Sequence, residues 1–160
     1  TIGCKMKLIL LFSLEILLIN LHFLLSRFIS VSELHFNPFI IIFVFLILKT
    51  DDEMLMPCVL LTGVLADCFF SKSIGPFLSI FLISSLMLKN LKNVVYKDHV
   101  LTHVIFAFCF SLICIFIVYF VGGEVAFRAP IIISIYNAIL MPVFYYLFEM
   151  IKLERLLKAY

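Results

Sequence analysis

Hydrophobic residues along this chain fall into six runs, and short polar breaks separate them. The runs cover about 8–28, 34–48, 54–70, 75–88, 100–121 and 130–150. A helix that crosses a bilayer needs about 20 mostly apolar residues, and most of these runs approach that length. The second run is short. It opens at Asn37-Pro38 and ends at Thr50-Asp51-Asp52-Glu53. Proline is tolerated there because the first turn of a helix has no use for its missing N–H. The breaks themselves are Ser71–Ile74, the basic loop Lys89–Lys97, and Gly122-Gly123-Glu124. Beyond the sixth run, Glu154 and Lys158 stand four apart and support a helical extension. The pattern predicts an all-α, polytopic membrane helix bundle of six transmembrane helices, with residues 1–160 as a single integral membrane domain.

Composition supports lipid as the solvent. Hydrophobic residues make up 65% and charged residues 14% of the 160, against roughly 45–50% and about 25% in a soluble domain. A soluble chain of this size has no core large enough to hide that much apolar surface. Six spans with short loops leave no room for a soluble domain. The first run is too long to read as a cleaved signal peptide.

Charge placement sets an expected orientation. With the N-terminus in the cytoplasm, Lys5, Lys7, Lys49, Lys89, Lys92, Lys97, Lys152, Arg155 and Lys158 lie inside, nine basic residues against Arg27, Lys72 and Arg128 outside. If the short second run fails to cross, the best arrangement gives eight against four. Positive charge concentrates on the cytoplasmic side, so six spans with both termini cytoplasmic is the expectation. Tryptophan is absent, which leaves Tyr119, Tyr136, Tyr145 and Tyr146 to build an interfacial belt. The basic loop reads as a topology signal and an anionic-lipid contact rather than a nucleic-acid patch.

Few residues stand out as candidate chemistry. Leu61 to Pro76 concentrates them: Gly63, then Asp67 four residues on, then Gly75-Pro76. Gly63 and Asp67 share a helix face, with Ala66 adjacent, and small residues at that spacing let another backbone approach. The free N–H groups at the start of the fourth run favour an anion, so Asp67 is expected to lock the hairpin of runs three and four. A binding or proton site is the sharper alternative. Glu15 lies inside the first run, where a carboxylate is expensive; His22 is seven residues on, on the same face. A protonated Glu15 bonded to another helix is the simpler expectation, a proton relay the alternative. His103 and Glu149 are expected at the membrane interface.

Cys4, Cys58, Cys68, Cys109 and Cys114 are odd in number and form no Cys-x-x-Cys pair, so neither a disulfide framework nor a metal site is expected. No phosphate-binding loop, His-Glu-x-x-His or Gly-x-Ser-x-Gly is present. No catalytic residue, cofactor or metal is therefore assigned, and the chain is not expected to be an enzyme.

Gly63-Val-Leu-Ala-Asp67, seven further residues, then Gly75 resembles the signature of the MreD family of rod-shape-determining membrane proteins. Chain length, the short second run and the basic loop after the fourth run fit the same family. Where that family often has a small residue one turn before the glycine, this chain has Val59. The resemblance implies a fold like the substrate-binding S-components of ECF-type vitamin transporters. It implies residence in the bacterial inner membrane and a non-enzymatic role in cell-wall elongation. The partners it implies are a single-span MreC-like protein and, through it, the RodA glycosyltransferase with its penicillin-binding transpeptidase. By the same carry-over Gly63, Asp67, Gly75 and Pro76 hold the hairpin or a partner interface. A transporter subunit that binds a small molecule is the alternative. The first run has neither the alanine pair such subunits use for docking nor any glycine, and the later runs offer few polar residues beyond His103, Tyr136 and Asn137. An ion-coupled carrier using Glu15 and Asp67 is a third reading, weakened because the two are expected toward opposite membrane faces.

Overall fold

The computed structural model describes residues 2–26, 36–50, 52–71, 75–91, 99–121 and 128–151. Six helices account for nearly all of them: α1 (Ile2–Ser26), α2 (Pro38–Lys49), α3 (Asp52–Phe70), α4 (Pro76–Leu91), α5 (Val100–Val121) and α6 (Arg128–Met150). The runs read from the sequence each contain one helix, and α5 has the expected bounds. The other boundaries move for local reasons. α1 starts six residues early, taking in Lys5 and Lys7, both good helix formers. α2 starts at Pro38, not Leu34, because Asn37 caps it: its side chain accepts from the Phe39 N–H at 3.0 Å. α3 begins at Asp52, where two acidic residues favour a helix N-terminus. α4 begins after Gly75, whose φ of +126° is not helical, and it runs three residues past Leu88. α6 takes in Arg128 and Ala129 ahead of Pro130. Residues 27–28, 34–35 and the extension 152–160 lie outside the described residues.

Side-chain contacts fix the helix directions. His22 of α1 meets Phe70 of α3 and Glu15 meets Thr62, so α1 and α3 run parallel. Asp67 of α3 reaches Phe77 of α4 and Met56 meets Ser85, so those two are antiparallel. Phe39 packs on Phe70, Phe43 on Phe110 and Phe45 on His103, which sets α2 against both α3 and α5. Ser111 with Asn137 and His103 with Tyr145 make α5 and α6 antiparallel. Direction therefore alternates along the chain.

The centre of the bundle is α2. All twelve of its residues are buried, on every side. At 1.5 Å per residue it is about 18 Å long, well short of a ~30 Å hydrocarbon core. Its phenylalanines organise the interior. Phe43 stacks on Phe81 of α4 (4.1 Å) and on Phe110 of α5 (4.7 Å), and Phe45 meets Phe148 of α6 edge-on at 4.8 Å. Offset and edge-to-face pairs of this kind add about 0.5–1.5 kcal/mol each beyond area burial.

The outside of the bundle is apolar. Ile105, Ile113 and Phe120 on α5 and Ile131, Ile139 and Val143 on α6 are exposed. Such faces exceed what a water-soluble monomer presents. α3, α5 and α6, at 19, 22 and 23 residues, are long and apolar enough to cross a membrane. The chain is a helical bundle with the surface of a membrane protein.

Candidate functional site

The α3–α4 corner is the most elaborately bonded place in the described chain. Asp67, one turn from the end of α3, is 1% exposed, and its carboxylate faces the start of α4. Its Oδ2 accepts from the N–H of Gly75 at 2.8 Å and of Leu78 at 3.1 Å; its Oδ1 accepts from the N–H of Phe77 at 2.8 Å. Gly75 is the residue before α4, and Phe77 and Leu78 are its second and third helical residues. Those two N–H groups are the ones a capping side chain normally satisfies. Glycine has no side chain to do so, and Pro76 between them has no N–H to satisfy. Asp67 thus caps α4 from another helix, and its negative charge meets the positive end of the α4 dipole.

Two glycines permit this geometry for different reasons. Gly75 has open space around its Cα, but its φ of +126° is a backbone state other residues rarely adopt. Gly63 is needed for proximity. A Cβ there would lie 2.9 Å from the Leu78 Cα and 3.0 Å from its Cδ1. The helices touch backbone to backbone one turn below the carboxylate, and Ala66 is fully buried beside them. Val59, one turn earlier on α3, is also fully buried.

Glu15 sits elsewhere. It is fully buried between α1 and α3, where Thr62 Oγ1 donates to its Oε1 at 2.5 Å. The same hydroxyl stands 2.9 Å from the Cys58 carbonyl. Thr62 has one proton for these two acceptors. The other carboxyl oxygen, Oε2, is buried without a hydrogen-bond partner. His22 lies on the same face of α1, roughly 10 Å further along, boxed by the rings of Phe23, Phe36 and Phe70 at 4.9–5.6 Å. Glu15 and Asp67 are not at opposite faces of the bundle as expected. Thr62 is only five residues below Asp67, about 7.5 Å. The two carboxyls are divided instead by direction, Glu15 of α1 turned to Thr62 on α3 and Asp67 of α3 turned to the start of α4.

A second set of polar residues fixes α2. The Asn37 N–H donates to Asn137 Oδ1 of α6 at 2.8 Å, and Asn137 Nδ2 donates to Ser111 Oγ of α5 at 2.7 Å; all three residues are buried. At the other end of α2, Lys49 Nζ lies 3.1 Å from Glu149 Oε1 of α6 and 5.7 Å from the centre of the Tyr145 ring. Asn37 and Lys49 are twelve residues apart, as are Asn137 and Glu149. Both clamps therefore set the same register between two parallel helices. Lys49 is a buried ion-pair partner as well as a loop-side charge. His103 is fully buried against Phe45 and Tyr145. Tyr145 belongs to the core, not an outer belt. Asn137 could have been picked out by the signal that marked Glu15, a lone amide in a long apolar run.

Comparison with family models, with characterised proteins and with solved structures returns no match for the chain.

Proposed function

We propose that the chain is a non-enzymatic, six-span scaffold of the bacterial inner membrane, with an MreD-like role in cell-wall elongation. In this reading α1 to α6 all cross or enter the bilayer, both termini are cytoplasmic, and the fold is of the ECF S-component kind. The job of the chain is to hold an MreC-like single-span protein and, through it, RodA and its penicillin-binding transpeptidase.

One observation carries the reading. Asp67, the most conspicuous polar residue of the Gly63–Pro76 stretch, is spent on the backbone of α4. Its three bonds leave it a structural group, and Gly63 and Gly75 serve the same corner. A stretch built to fix a hairpin suits a protein whose function is its shape. The alternating helix directions support an even number of passes, and the apolar exterior supports contact with lipid and neighbouring helices. The transporter reading needs polar side chains turned to a ligand. Asn137 is committed to Asn37 and Ser111, and His103 is packed among rings, which favours the scaffold.

The experiment is affinity purification of the tagged chain from bacterial membranes, alongside Asp67→Leu. An MreC-like partner is expected with the unaltered chain, and at several-fold lower yield with the variant, whose melting temperature in detergent also falls. A detergent-stable chain with no affinity for such a partner, or a variant with unchanged yield and melting, overturns the reading.

A further inference from the structure

α1 packs on α2 and α3 through one buried stripe, Leu11, Glu15, Leu18, Ile19 and His22. From the middle of that stripe Glu15 reaches Thr62 of α3, and the hydrogens at this contact can be counted. Thr62 Oγ1 lies 2.5 Å from Glu15 Oε1 and 2.9 Å from the Cys58 carbonyl oxygen. A hydroxyl carries a single hydrogen. Two oxygens about 2.5 Å apart need a hydrogen between them. If Thr62 supplies it, none is left for the Cys58 carbonyl. One further hydrogen, on the Glu15 carboxyl, fills both contacts: the carboxyl donates to Thr62 Oγ1, and Thr62 donates to the carbonyl. Glu15 Oε2 is buried with no hydrogen-bond partner, so a bare carboxylate there would have one donor for two charged oxygens.

No side-chain cation among the described residues pairs with Glu15. On α3, Asp52 and Glu53 stand at the exposed start, Cys58 is a buried thiol, and Asp67 is turned to α4. On α2, Lys49 is paired with Glu149. On α1 itself, His22 stands two turns further along, against Phe36 and Phe70. We propose that Glu15, with Thr62 and the Cys58 carbonyl, is a proton-binding site that fastens α1 to α3. The ligand is a single proton exchanged with bulk water. When it is bound, the chain of donors is complete and no charge lies between the two helices. When it leaves, an unpaired carboxylate remains in an apolar seam, and such a group is tolerated only where water or a donor can reach it. α1 must then loosen from α3. The hold on α1 is therefore lost as pH rises. His22 runs the other way, because a histidine is neutral above its ordinary range, so a release of α1 on the alkaline side belongs to Glu15. The site does not depend on the rod-complex reading, and its failure would leave the partner experiment above untouched.

The test uses the full chain reconstituted in liposomes. Dicyclohexylcarbodiimide, an apolar reagent that adds to protonated carboxyls, is applied over a pH series, and adducts are located by mass spectrometry. Glu15 is expected to carry the adduct at neutral pH and to lose it as the pH is raised. Sodium chloride at constant pH and ionic strength should not protect Glu15; protection would overturn the proton as ligand in favour of a sodium ion. In parallel, hydrogen–deuterium exchange, corrected for the intrinsic rate at each pH, is followed in α1 with α5 as the reference. Protection of α1 relative to α5 is expected to fall with rising pH by up to about tenfold per pH unit, the slope of one proton. In Glu15→Gln, which keeps its hydrogens at every pH, protection of α1 should stay level. No adduct at Glu15 at any pH overturns the inference. So does protection of α1 that never changes, or that falls equally in Glu15→Gln.

Discussion

Asp67 shows how much one side chain can settle. Three backbone donors at the start of α4, that of Phe77 buried and those of Gly75 and Leu78 partly buried, depend on this carboxylate, and a buried donor left without an acceptor costs about 1–3 kcal/mol. Asp67→Asn keeps the shape but turns an amide N–H toward one of those donors. It should lower stability by about 1–3 kcal/mol, measured by thermal unfolding in detergent; an unchanged midpoint would show that the cap is dispensable. Gly63→Val tests proximity rather than bonding. The Leu78 Cα is backbone and cannot move aside, so α3 and α4 must separate and a loss of about 1–3 kcal/mol is expected. Glu15 is expected to behave differently. If its carboxyl is neutral, Glu15→Gln supplies the same acceptor and a donor, and stability should stay within about 1 kcal/mol. A large loss on that change would mean that the bundle depends on a charge at Glu15.

Among the elements, α2 depends most on its neighbours. Twelve residues make a marginal helix alone in water, and here tertiary burial surrounds it completely. Its register rests on Asn137 at one end and Glu149 at the other. The two partners of the ion pair are unequal. The Lys49 side chain is 4% exposed, that of Glu149 39%. Removing the buried cation leaves a carboxylate that water can reach; removing the carboxylate leaves a buried cation without its ion pair. Glu149→Ala should therefore destabilise more than Lys49→Met. Differential scanning fluorimetry on the two variants decides it, and the reverse order would show that the Glu149 pair is not what makes burial of the Lys49 cation tolerable.

At the scale of the whole molecule, the burial pattern is that of a protein dissolved in lipid. Large apolar side chains are exposed along α1, α3, α4, α5 and α6, while Glu15, Asp67, His103, Ser111, Ser134 and Asn137 are turned inward. Alternating directions put the Asp67 corner at one end and the Lys49–Glu149 clamp at the other. In the proposed six-span topology Lys72 would lie outside and Asn93 and Tyr160 inside. Single cysteines at those three positions should label with an impermeant maleimide in that pattern. Labelling of position 93 from the cell exterior would invert or shorten the topology, and would remove the basis for the proposed scaffold.

Helix number and the Asp67–Gly75 corner were legible because each has a local sign. A long apolar run has to pair its own backbone groups, and that makes it a helix wherever it ends up. A carboxylate just before a Gly-Pro turn has few donors within reach other than the next helix N-terminus. The place of α2 was not legible. Its uniform hydrophobicity reads the same for a short span as for a helix enclosed by protein, and only the packing of α1, α3, α4, α5 and α6 around it separates the two. The roles of Asn137, Lys49 and His103 were hidden for a related reason. Their partners lie 26 to 100 residues away, and no spacing along the chain records which helices will be neighbours. What the sequence by itself determined, then, is the solvent, the helices and the one turn whose partners are close in the chain. Which helix sits at the centre, and which polar side chains meet there, was decided by tertiary packing, because those choices depend on surfaces that exist only once the helices are side by side.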